Sequence, residues 1–157
     1  MPNAVIQNSN GSVSLRIDGA YTTNEKHLLT PYEDDKGNSR HFGSFKFQNT
    51  KEAEATLKEA IKKLKPQQDT IFEGQYPRWT TDQYGTQLRI QNKVKFYKQV
   101  GSSEQVPDLE VRDYNYALEI TMNHAKDGGV FMYVPRAFVI GEFTGGNDAL
   151  FEDDLPF

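Results

Sequence analysis

The stretch TQLRIQNKVKFYKQV, Thr86 to Val100, alternates apolar and polar residues along its whole length. Successive side chains of a strand point to opposite sides, so Leu88, Ile90, Val94 and Phe96 share one face. Arg89, Gln91, Lys93, Lys95 and Tyr97 share the other. The apolar face predicts a strand covered by a core on one side. The polar face holds three cations, an amide and a ring, with no acid. Lysines on an exposed strand can serve simply to stop sheets from pairing edge to edge. Tyr97 points to a second use. Cations follow the phosphates of an unpaired nucleic-acid strand, and rings stack on its bases whatever their identity.

Working outward, the same period recurs. In SVSLRIDGA, Val13, Leu15 and Ile17 alternate with polar residues. In RHFGSFKFQN, Phe45 and Phe47 lie on one face, with Arg40, Phe42, Ser44 and Lys46 on the other. YNYALEITMNH and VFMYVPRAFVIGEF flank a turn at Asp127–Gly128–Gly129, a hairpin signal. PYEDDKGNS reads as a loop turning at Lys36–Gly37. One helix is predicted at about 51–64, with Thr50 as N-cap and Glu52 and Glu54 in the first turn. Its apolar stripe is Ala53, Leu57, Ala60, Ile61 and Leu64, and Pro66 stops it. The expected fold is mainly β, with five or six mostly antiparallel strands.

The loop EGQYPRWTTDQYG offers Tyr76, Arg78, Trp79 and Tyr84, and Trp79 is the single tryptophan. A buried Trp with a satisfied N–H is the ordinary alternative to a stacking one. The polar setting beside Pro77, Arg78 and two threonines favours exposure. The candidate strand-binding residues are therefore Arg40, Phe42, Lys46, Arg78, Trp79, Arg89, Lys93, Lys95 and Tyr97.

The chain's 157 residues suit one domain. Zero cysteines exclude disulfides, Cys-based zinc sites and thiol catalysis. The start, MPNAVIQNSNGSV, has no signal-peptide pattern, and no segment has the roughly 20 apolar residues that span a bilayer. A cytoplasmic protein with no membrane contact is expected. His27, His41 and His124 lack metal-ligand spacing, and no phosphate loop, G-x-S-x-G or H-E-x-x-H motif occurs. Asp108, Glu110 and Asp113 are clustered acids of the kind that hold Mg²⁺ in nucleases, but no Glu-x-Lys triplet follows them. Neither an enzyme nor a cofactor is predicted. A metal-dependent nuclease stands as a rival reading.

Charge is distributed unevenly. Asp148, Glu152, Asp153 and Asp154 lie in the last ten residues with no base, which accounts for the whole net charge of −4. The body is then formally neutral and the ending, Glu152-Asp153-Asp154-Leu155-Pro156-Phe157, is acidic and tipped with an aromatic. A solubilising acidic end explains the acids but not Leu-Pro-Phe.

That ending resembles the C-terminal tip of bacterial single-stranded DNA-binding proteins, a run of Asp followed by Ile-Pro-Phe, with Leu here for Ile. Some phage single-stranded DNA-binding proteins also end in an acidic tail with a terminal Phe. The resemblance covers about six residues. It implies an OB-fold-like antiparallel β-barrel over residues 1–144 that binds single-stranded DNA, and a flexible acidic tail over 145–157. It also implies that the tip, Glu152 to Phe157, recruits replication, recombination and repair proteins. Two departures stand out: there is no long Gly/Gln/Pro-rich linker, and the body does not align with the bacterial domain. The compact body and short tail look more like a phage-encoded version. The helix also follows two confident strands where an OB-fold would have three. The rival within this frame is a protein-interaction module carrying the tip without binding nucleic acid. A homo-oligomer is left open.

Overall fold

The computed structural model describes residues 3–143; the tail reading lies outside the described residues. Among these residues are ten strands: β1 (Ala4–Gln7), β2 (Val13–Tyr21), β3 (Tyr32–Glu33), β4 (Ser39–Arg40), β5 (Gly43–Phe47), β6 (Trp79–Asp82), β7 (Gly85–Ile90), β8 (Lys95–Tyr97), β9 (Tyr114–His124) and β10 (Val130–Glu142). Eight form one sheet in the order β6-β7-β5-β2-β9-β10-β8, with β1 added beside β2. β3 and β4 make a separate two-stranded ribbon. The mainly β expectation holds, but the strand number exceeds five or six. A short α1 (Lys26–Leu29) and a 3₁₀ turn (Asp108–Asp113) join the expected helix, α2 (Thr50–Leu64).

Alternation decides the core. Val13, Leu15 and Ile17 are buried along β2, and Leu88, Ile90, Val94 and Phe96 are buried along the opening stretch. That stretch is two strands, β7 and β8, joined by residues 91–94 without a change of phase. β7 pairs with β5 at one end of the sheet, while β8 pairs in parallel with β10 at the other. One extended run of chain therefore links both ends of the sheet. Asn92 ties the link down: its Nδ2 donates to the Val134 carbonyl (2.7 Å) and its Oδ1 accepts from the Val134 amide (3.1 Å). The side chain replaces a strand partner where the ladder is interrupted.

β2 changes neighbours by a related device. On one edge it pairs with β1 over Val13–Arg16 and then with β5 at Ala20–Tyr21; on the other it pairs with β9 over Val13–Ile17 and again at Ala20, with a register shift between. Gly19 sits at that shift with φ +83°, which a glycine adopts without steric cost.

Helix α2 buries Ala53, Leu57, Ala60 and Leu64 against β1, β2 and β9. Its N-cap is Asn49 rather than Thr50: the Asn49 Oδ1 accepts from the Glu52 amide at 3.1 Å. Lys65 closes the helix in the left-handed region, φ 54°, its amide donating to the Ile61 carbonyl. Inside, Phe45 and Phe96 lie 6.1 Å apart between ring centres, and Phe96 meets Tyr116 edge-on at 5.0 Å. The Tyr116 hydroxyl donates to the Val111 carbonyl (2.6 Å), and burial pushes the phenol well above its ordinary pKa.

Candidate nucleic-acid interface

The outward faces of β5, β6 and β7 form one surface. Pairings of Ser44 with Arg89, Thr80 with Gln87 and Trp79 with Leu88 fix which residues share a side. Trp79 and Leu88 point inward, so Arg78, Thr80, Gln87, Arg89 and Ser44 point outward. The segment between β2 and β5, carrying α1 and the β3–β4 ribbon, borders this surface. Together they enclose a groove of about 620 Å³ lined by Arg40, Phe42, Arg78 and Arg89, with Tyr76 and Thr80 beside them.

One wall of the groove is Phe42, held in a prebuilt cluster of rings. Phe42 stacks on His27 at 5.0 Å, and Tyr32 packs edge-on against both rings. The Arg40 guanidinium lies over Phe42 at 5.2 Å and over Tyr32 at 5.8 Å. Tyr32 and Arg40 face each other across the ribbon. Its turn is held by Asp34, whose Oδ1 accepts from the amides of Lys36 and Asn38, both at 2.9 Å. Those backbone bonds, Asn38's above all, hold the Asp34 carboxyl below its ordinary pKa. Gly43 seats the wall: a methyl group there would lie 2.6 Å from Leu28 Cγ of α1.

The groove's floor carries cations that form no ion pair among the described residues. The chain has six arginines. Arg16, Arg112 and Arg136 pair with Asp18, Glu25 and Glu119. Arg40, Arg78 and Arg89 have no ion pair among the described residues, and all three line the groove. Arg78 and Arg89 are adjacent, since the Arg89 amide donates to the Arg78 carbonyl at 2.7 Å. Burial, and then the neighbouring Arg89 charge, hold the Arg78 guanidinium below its ordinary pKa.

The remaining sequence candidates fall into three places. Lys46 leaves β5 and donates to the Tyr84 carbonyl at 2.6 Å, bracing the β6–β7 turn. Lys93 and Lys95 are exposed along the run into β8, where Tyr97 stacks on Phe138 at 5.5 Å. Trp79 corrects the exposure expected of it. It is 8% exposed, packed between Phe47 and Phe72, and its Nε1 donates to Glu54 Oε1 at 3.1 Å. Its polar neighbours are polar because strand alternation turns them outward while the indole turns in. Sequence reading did not single out Tyr32, His27, Thr80 or Gln87. The Tyr32–Arg40 pairing across the Lys36–Gly37 turn is the signal that could have found Tyr32.

The arrangement can hold a polyanion and stack flat rings. Among the described residues no group of three or more His, Asp or Glu could hold a metal ion. No described helix is long and apolar enough to cross a membrane.

A mainly β sheet with an arginine-lined, aromatic-walled groove is thus the class that fold and site define. Among solved structures, the chain is similar to the single-stranded DNA-binding protein from bacteriophage Enc34, solved in complex with ssDNA. The TM-score is 0.53 with 12% identity, over 94% of this chain and 93% of that one, so the fold is shared. No family model and no curated protein matches the chain.

Proposed function

We propose that this chain is a sequence-independent single-stranded DNA-binding protein. The observation that carries the reading is the convergence on one groove of Arg40, Arg78 and Arg89, the three arginines without ion pairs among the described residues. Phosphates offset those charges, while Phe42, Tyr32 and exposed Tyr76 (77% exposed) offer rings to bases. From the groove the strand follows the outward face of β7 into β8, past Lys93 and Lys95 to the Tyr97–Phe138 stack. The fold shared with a DNA-binding phage protein supports this. So does the strand order β7-β5-β2-β9-β10-β8, whose two ends are one run of chain, an arrangement consistent with an OB-like fold, where the second and third strands are the usual oligonucleotide face.

The tail completes the proposal from sequence. Leu155 and Phe157 enter an apolar pocket on a replication, recombination or repair protein. Glu152, Asp153 and Asp154 attract the pocket's basic rim. In the free protein the same acids cover the cationic groove until a strand displaces them.

The test is a gel shift of the full chain with labelled single-stranded and double-stranded DNA of equal length. The proposal expects a shift with the single strand at concentrations that leave the duplex free. Equal binding of both, or of neither, would refute it. Mg²⁺ in the same reactions tests the nuclease reading, which requires shortened product.

A further inference from the structure

One part of the groove is built differently from the rest. Arg78 is half-buried, and its Nη1 is enclosed with no hydrogen-bond partner. Thr80 Oγ1, two residues on and outward on the same edge, is likewise enclosed and unpartnered. Arg89 adds a second cation directly opposite Arg78. Asp82, the one carboxylate among the lining residues, is committed elsewhere: it accepts from the Tyr84 amide (2.8 Å) and Gln87 Nε2 (3.0 Å).

Each feature costs stability. An enclosed donor without a partner loses its hydration with no return, and a partly buried cation beside a like charge is worse. A surface designed only to be loosely basic would use exposed lysines, as this chain does at Lys93 and Lys95. We infer that Arg78, Thr80 and Arg89 form a preformed subsite for one phosphate oxyanion, a fixed register point within the groove. A guanidinium offers planar paired donors to phosphate oxygens, and a threonine hydroxyl supplies one more. The inference takes from the functional reading above only that the phosphate belongs to a DNA backbone. The site itself does not depend on that reading.

Two measurements on the full chain test it. Thermal unfolding in chloride and in inorganic phosphate at matched ionic strength compares the wild type with Arg78→Met, which keeps the stem and removes the charge. The wild type should melt about 2–4 °C higher in phosphate. Arg78→Met should melt higher than the wild type in chloride and gain nothing from phosphate. A variant that melts lower in chloride, or that keeps the phosphate increment, overturns the inference.

Amide NMR of the wild type does not depend on the variant folding. Inorganic phosphate should shift the Thr80 and Arg89 amides, and oligo-dT should shift the same ones. No phosphate shift at these amides overturns the subsite. Shifts with phosphate but no binding of oligo-dT support the subsite and sink the strand-binding reading. Oligo-dT bound without moving these amides sinks the subsite and leaves that reading standing.

Discussion

Two surfaces of this sheet carry arginines and treat them in opposite ways. On the β2–β9–β10 face, Arg16 meets Asp18 at 2.7 Å and Arg136 meets Glu119, so each charge is answered within the molecule. In the β5–β6–β7 groove, Arg40, Arg78 and Arg89 form no ion pair among the described residues, and Arg78 Nη1 has no hydrogen-bond partner there. Exposed ion pairs contribute little, typically 0–1 kcal/mol. What distinguishes the faces is therefore not stability gained on the first but charge left available on the second. A protein with a formally neutral body can still present a cationic face, provided its acids are placed elsewhere.

Breaking the contrast from the groove side has the largest expected effect. Arg78→Gln with Arg89→Gln removes two charged donors, each contributing about 1.5–3 kcal/mol to a bound anion. Affinity for oligo-dT, measured by fluorescence anisotropy, should fall on the order of a hundredfold or more. Gly43→Ala attacks the groove's wall without touching a charge. Its methyl group meets Leu28 at 2.6 Å, and overpacking of this kind costs about 1–3 kcal/mol, to be read in urea unfolding midpoints. Tyr97→Ala tests whether the strand continues beyond the groove. Loss of one stacked base corresponds to about 1–3 kcal/mol, and unchanged affinity would confine the interface to β5–β7.

Smaller effects sharpen the same contrast. Removing residues 148–157 should leave oligo-dT affinity intact or tighten it severalfold, while pull-down of partner proteins is lost. Weaker DNA binding on that deletion would contradict a covering role for the acids. Arg16→Gln, on β2 and separated from β8 by β9 and β10, should change affinity by less than about twofold.

How much of this was legible in the sequence follows from period and length. The alternation of Leu88, Ile90, Val94 and Phe96 survives the break at residues 91–94, so their burial could be read although the strand's continuity could not. β6 was hidden because its hairpin turns through Gln83 and Tyr84, without the Asn-Gly or Asp-Gly pair that announces such turns. Without β6, the polar residues that alternate with Trp79 read as a loop, and the indole reads as exposed. The β3–β4 ribbon has two residues per strand, too few to show a period. Arg40, Phe42, Arg78 and Arg89 carried their chemistry openly in the sequence. Their meeting in one groove depends on β5 pairing with β7, a long-range fact that no local pattern encodes.

The central claim is that the unanswered arginines bind backbone phosphates. It is tested most directly by the salt dependence of oligo-dT binding, compared between the wild type and Arg78→Gln/Arg89→Gln. Each phosphate contact on a single strand contributes about 0.7 to the slope of log K against log salt. The account predicts a steep fall for the wild type and, because Arg78 and Arg89 share one phosphate, a slope shallower by about 0.7 for the double variant. Equal slopes, or binding indifferent to salt, would contradict it.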